Sequence, residues 1–234
     1  MTTTEDNRTI PASSGGGDIP VWTCAAGEGS RPGLLLVPAI FGVDEGTKTL
    51  ARDLALEGAH VWCVDPFWRT VSPGVIVRDK DGFAQGIARA RTVDETLATA
   101  DFTDLIQAMG KEEGCNGQVV VLGICFAGKF ALLLASQGHA AAGATFHGAR
   151  MTPFTELAET IKVPLSLHFG DDDVAIPVQD VATLREAFKD HDNVDIVLHS
   201  GAQHGFGDPG SDGFNPEVYK KTLAAVRGLL DGLR

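Results

Sequence analysis

Six short apolar runs recur along the chain, separated by segments with helical spacing, and no other feature narrows the possible folds as far. The runs are GLLLVP (33–38), HVWCVD (60–65), QVVVLG (118–123), AGATFH (142–147), PLSLHFG (164–170) and VDIVLH (194–199). Most lack the strict alternation of a strand with one wet face, so they read as buried parallel strands. The segments between them, about 44–58, 92–113, 127–138, 177–190 and 216–233, carry apolar residues at helical period; in the last, Tyr219, Leu223, Val226 and Leu230 form a stripe. Strand and helix in alternation predict an α/β fold, a doubly wound sheet with helices on both faces. Ligands of such sheets bind beyond the carboxyl ends of the strands, so residues that directly follow a strand are the candidates for chemistry.

A chain of 234 residues, 44% apolar, supplies enough core for one large domain, expected over 18–234. Residues 1–17, ending in Ser13-Ser14-Gly15-Gly16-Gly17, are polar and small and read as a flexible leader, a turn or the start of an edge hairpin. A formal net charge of −12 argues against nucleic acid or an anionic membrane as partner. No stretch approaches the roughly 20 apolar residues of a membrane span, and the N-terminus lacks the order of a secretory signal, so a cytoplasmic location is expected. Cys24, Cys63, Cys115 and Cys125 form no C-x-x-C pair and are too few for a disulfide framework, so they read as thiols.

One thiol stands apart. In VVVLGICFAGKFALLLA a strand passes directly into a helix through Gly123-Ile124-Cys125-Phe126-Ala127-Gly128. A turn this sharp holds its central residue in a strained conformation and needs small neighbours on either side, which Gly123, Ala127 and Gly128 provide. The side chain at 125 then projects above the sheet at a helix N-terminus, whose unpaired N–H groups and positive dipole end favour a negative charge. The structural alternative is a small buried hydrophobe at a helix start.

A nucleophile on such a turn needs a carboxylate and a histidine later in the chain, in that order. Asp171-Asp172-Asp173 follows the PLSLHFG strand, and Gln203-His204-Gly205-Phe206 follows VDIVLH. Cys125, an aspartate and His204 thus each lie just past a separate strand, a concurrence stronger than any one motif. Taken singly, the aspartates would be a solvated turn and His204 a surface loop residue. The other histidines, at 60, 139, 147, 168, 191 and 199, show no metal-ligand spacing, so they are assigned structural roles and no metal is predicted.

With these residues in place, the chain from about Ile19 onward resembles the dienelactone hydrolase (carboxymethylenebutenolidase) family. The matching parts are Ile40-Phe41-Gly42-Val43, Asp65-Pro66, the turn at 123–128, Asp173-x-x-Ile176-Pro177 and His204-Gly205-Phe206. The resemblance implies an α/β-hydrolase fold with an eight-stranded, mostly parallel sheet, and a Cys125–His204–Asp173 triad that selects Asp173 among the three aspartates. It implies cleavage of a small-molecule carboxylic ester or lactone through a cysteine thioester, without a cofactor, and leans towards a monomer. Backbone N–H groups of Ile40 and Phe126 are the expected oxyanion hole, and Phe41, Trp68, Phe83, Arg89 and Phe206 the candidate substrate pocket.

Two positions depart from the family's pattern. Ala39 stands where its well-studied members carry a glutamate that helps control the cysteine's protonation, leaving Glu45 as a substitute carboxylate. Asp208 stands where the lactone hydrolases carry an arginine for the substrate carboxylate; Arg78, Arg89 and Arg91 are candidates for a second such arginine. The missing arginine points away from an anionic dienelactone, and Ala39 means that the thiol is activated without that glutamate or with another carboxylate such as Glu45. Two rival readings remain: a non-catalytic small-molecule binding module on the same fold, and an amidotransferase-like cysteine enzyme, which would place a glutamate where Phe206 stands.

Overall fold

The computed structural model of the chain describes residues 2–27, 29–70 and 72–234. The first apolar run becomes strand β3 (Arg31–Val37), with Leu34 and Leu36 turned to one face of the sheet, Leu35 and Val37 to the other, and all four fully buried. Alternation of side chains is the pleat's consequence, and because both faces are covered neither set needs to be polar. The other five runs become β4 (His60–Val64), β5 (Cys115–Ile124), β6 (Ala142–Phe146), β7 (Leu165–Gly170) and β8 (Val194–His199), all parallel to β3. Two further strands, β1 (Thr3–Pro11) and β2 (Asp18–Ala26), form an antiparallel hairpin, and β2 joins the sheet antiparallel to β4.

Among the described residues six α-helices accompany the sheet: α1 (Glu45–Leu56), α2 (Lys80–Ala90), α3 (Glu95–Gly110), α4 (Gly128–Ser136), α5 (Val178–Ala187) and α6 (Pro216–Asp231). Leu50, Leu54, Val226 and Leu230 from α1 and α6 cover the Leu34 face; Phe102, Leu105, Phe130 and Leu134 from α3 and α4 cover the other. Helix starts are set by side chains that accept the free N–H groups of the first turn: Asp44 for α1, Asp94 for α3, and Asn215, followed by Pro216, for α6.

Of the three readings of residues 1–17, a flexible leader, a turn or the start of an edge hairpin, the structure shows the last: residues 3–11 are a full edge strand paired with β2 along its length. Helix α2 was not anticipated, because KDGFAQGIARA carries two glycines that lower helix propensity. Both glycines are needed where they are: a Cβ at Gly82 would lie 1.9 Å from the Val77 carbonyl oxygen, and one at Gly86 3.0 Å from Ile40.

The strand order is β1-β2-β4-β3-β5-β6-β7-β8. From β3 the chain steps outward to β4, then returns across β3 to β5. This reversal opens a crevice above the carboxyl ends of β3 and β5, where ligands of doubly wound sheets bind. Ile40 follows β3 and Cys125 follows β5, so both emerge at that crevice.

Candidate active site

Strand β5 ends at Ile124, and Cys125 opens a 3-10 turn, Cys125–Ala127, that leads straight into α4. Cys125 has φ +56°, the left-handed region that costs a non-glycine residue about 1–3 kcal/mol. The small residues around it are required by contact. A Cβ at Gly123 would lie 2.3 Å from the Ala127 carbonyl oxygen, and one at Gly128 2.7 Å from the Gly148 Cα.

His204 reaches this thiol from the loop after β8. Its Nε2 lies 3.2 Å from Cys125 Sγ and its Nδ1 2.8 Å from Asp173 Oδ2. The other oxygen of Asp173 accepts the N–H groups of Ala175 (2.8 Å) and Ile176 (3.1 Å), so the fully buried carboxylate is held on both sides. Its two neighbours are engaged elsewhere: Asp171 accepts the Gly201 N–H and Asp172 the Gln203 amide. Geometry therefore singles out Asp173. Burial by itself would depress the His204 pKa, but the hydrogen bonds to Asp173 and Cys125 and the charges of both outweigh it and push His204 up to about 10.

One residue at this centre was missed. His147, just past the end of β6, stacks edge-on against His204 with ring centroids 4.7 Å apart and against Phe206 at 5.3 Å. It is 1% exposed, holds φ +42°, and neither ring nitrogen has a hydrogen-bond partner among the described residues. Burial, then the neighbouring His204, keeps the ring neutral. Spacing along the sequence gives no hint of this, because Cys125 and His147 meet only through the pairing of β5 with β6. The one available signal was position, the first residue past a buried strand.

The predicted pocket divides. Phe41 and Phe83, with Arg78, Val174 and His204, line a groove of about 670 Å³ beside the histidine. Phe206 is fully buried behind His147 rather than in the groove. Trp68 faces a separate groove beside α3, its Nε1 donating to Asp101 and the Arg69 guanidinium stacked 4.1 Å from its ring. Arg89 is a structural clamp: its Nε and Nη2 donate to the Ile40 carbonyl (3.0 and 2.7 Å), Nη1 donates to the Gly74 carbonyl (2.6 Å), and the group lies over the Phe67 ring. It thereby fixes the loop after β3, while Phe67 stacks on Phe126 at 5.2 Å.

Of the candidate arginines, Arg78 faces the groove, but its charge is already matched. It donates to Asp44 at 2.5 Å and to both oxygens of Asp208 at 2.8 and 3.1 Å. The remaining charged groups lining the groove are Lys80 against Asp79, Asp172 and Asp212, so the wall carries an excess of negative charge. Ala39 is buried in the core, and Glu45, its proposed substitute, pairs with Arg52 on the surface of α1.

A cysteine on a strained strand-to-helix turn, served by groups from the ends of later strands of a mostly parallel eight-stranded sheet, defines an α/β-hydrolase fold. The comparisons narrow it further: a family model described as the dienelactone hydrolase family matches residues 22–232, and the chain belongs to that family. It is 26% identical over 225 residues to the carboxymethylenebutenolidase of Pseudomonas sp. strain P51, covering 95% of this chain and 93% of that one. Among solved structures, a dienelactone hydrolase-like promiscuous phosphotriesterase from metagenomic libraries superposes with a TM-score of 0.80 at 21% identity, over 100% of this chain and 99% of that one. The dienelactone hydrolase of Anabaena variabilis gives a TM-score of 0.68 at 15% identity, covering 98% and 95%. Among the described residues no helix is long and apolar enough to cross a membrane.

Proposed function

We propose that the protein hydrolyses an uncharged carboxylic ester or lactone, with Cys125 as nucleophile, His204 as proton carrier and Asp173 as the group that orients it. The observation that carries this reading is the continuous line from Cys125 Sγ through His204 to Asp173, 3.2 and then 2.8 Å. The Cys125 thiolate adds to the carbonyl carbon, and the oxyanion is held by the N–H groups of Phe126 and Ile40. Collapse expels the alkoxide, which takes the proton from the His204 imidazolium and leaves a thioester. His204 then removes a proton from water, the hydroxide adds to the thioester, and thiolate leaves as the acid forms.

The substrate's charge is inferred from Arg78. A guanidinium shared between Asp44 and Asp208 has little left to offer a substrate carboxylate, and the acidic groove wall repels one. Phe41, Phe83 and Val174, the last 98% exposed, supply apolar contact for a neutral acyl or alcohol group. Four unpaired cysteines fit a reducing compartment and support a cytoplasmic location.

The test compares a short neutral aryl ester with a carboxylate-bearing lactone in wild type, Cys125→Ala and His204→Ala. The neutral ester is expected to turn over, and each variant to lose at least about 10³-fold in kcat. Turnover near wild type in either variant would remove the mechanism; preference for the lactone would remove the substrate assignment.

A further inference from the structure

We propose that Cys125, His147 and His204 form a three-ligand site for a thiophilic divalent cation of the zinc class, whose binding closes the nucleophile to substrate. Sγ of Cys125 and one ring nitrogen from each histidine lie within 4.8 Å of one another. A tetrahedral zinc ion with Zn–S of about 2.3 Å and Zn–N of about 2.0–2.1 Å needs its ligand atoms roughly 3.3–3.6 Å apart. The Cys125–His204 separation is already 3.2 Å, and the remaining separations, none above 4.8 Å, need side-chain shifts of at most about 1.5 Å to reach that spacing. One thiolate and two imidazoles suit zinc and its soft neighbours, not magnesium or calcium.

Two independent observations point to a ligand here. First, both ring nitrogens of His147 are buried without a hydrogen-bond partner among the described residues, a costly arrangement that fold stability does not explain. The residue is also held at φ +42°, so two strained non-glycine residues, His147 and Cys125, end adjacent strands at one centre. Second, His204 donates through Nδ1 to Asp173, the support that orients metal-bound histidines and leaves Nε2 free to coordinate. The fourth position falls to water, as in open zinc sites. Binding takes the cysteine as thiolate and His204 through a neutral Nε2, so the single proton the pair shares is released to solvent.

Metal-stripped protein titrated with Zn²⁺ and, separately, with Co²⁺ tests the site. One ion per chain is expected, with a thiolate-to-cobalt charge-transfer band in the near ultraviolet and the intense visible bands of a four-coordinate ion. Cys125→Ala should lose the sulfur band. His147→Phe, which keeps a ring against Phe206, should weaken zinc binding at least about 100-fold, and His147→Gln should do the same if the aromatic variant fails to fold. Ester turnover should fall in step with zinc occupancy and return with a chelator. A wild-type cobalt spectrum without the sulfur band, or unchanged affinity in a folded His147 variant, would overturn the site; full turnover at full occupancy would overturn the closure. The spectrum does not depend on turnover, so a protein that binds the ion yet cleaves no ester would refute the hydrolase reading alone.

Discussion

His204 and Arg78 concentrate the chemistry that single side chains decide. The fold raises the His204 pKa from 6.5 to about 10, so it favours the protonated ring. The stability this supplies is fully present below about pH 6.5 and is lost as pH rises through about 10. Nitrogen-detected NMR should find the His204 ring titrating near 10 in wild type and far lower in Asp173→Asn and in Cys125→Ala. An unchanged midpoint in both variants would mean that neither partner holds the proton there. Arg78 makes the opposite kind of statement, since its charge is present but occupied. Burial raises the Asp208 pKa against the pull of Arg78, so the pair is not a deeply stabilised one. Asp208→Asn should leave Arg78 paired with Asp44 alone, freeing its outer nitrogens, and raise kcat/KM for a carboxylate-bearing lactone about tenfold relative to a neutral ester. A constant ratio would show that Arg78 does not meet the substrate.

At the level of elements, close backbone approaches set both the turn at Cys125 and the seat of α2. The turn closes because Gly123 lets the Ala127 carbonyl approach, so Gly123→Ala should destabilise the protein by about 3 kcal/mol in denaturant unfolding. A cost under about 0.5 kcal/mol would mean that the turn relaxes freely. Helix α2 acts on the other side of the crevice: Gly86 lets it approach Ile40, and Arg89 ties the Ile40 carbonyl in place. Arg89 is a positioning residue rather than a contact for substrate. Arg89→Met should lower kcat about tenfold or more while leaving KM nearly unchanged, because under the proposed mechanism the Ile40 N–H holds the oxyanion and a loosened loop harms the transition state more than the bound substrate. A rise in KM alone would return Arg89 to the substrate pocket.

Across the whole molecule, the N-terminal hairpin is fastened by one buried carboxylate. Asp101 on α3 accepts from Arg69 at 2.6 and 2.7 Å, from Trp68 Nε1 at 3.0 Å and from the Ser14 hydroxyl in the hairpin turn at 3.1 Å. Three distant stretches of chain therefore share one anion. Asp101→Ala should leave Arg69 without its main partner and cost about 3 kcal/mol, or roughly 6–12 °C in Tm by calorimetry. A Tm within a degree of wild type would show that the hairpin does not depend on Asp101, its strand pairing and the contacts of Ser13 with Asp104 and Arg8 with Glu112 being sufficient.

The sequence by itself determined the six parallel strands and five of the helices, because burial on both faces and helical period are written in local composition; it also put Cys125, one of three adjacent aspartates and His204 in order past separate strands, with Asp173 singled out by the family resemblance. It also determined that small residues flank Cys125, since the turn's sterics act within a few residues. The tertiary structure alone decided the rest. Residues 3–11 look polar and loose because an edge strand has little core to face, and their partners, β2 along the strand with Arg52 and Glu112 at its side chains, lie elsewhere in the chain. Helix α2 was hidden because its glycines serve contacts with Val77 and Ile40 rather than helix propensity. Arg89, Phe206 and Trp68 resemble pocket residues by type, but their partners come from distant segments. His147 shows the same limit most sharply: it meets Cys125 and His204 only because strands far apart in sequence end side by side, and no spacing along a chain records which strand ends will be neighbours.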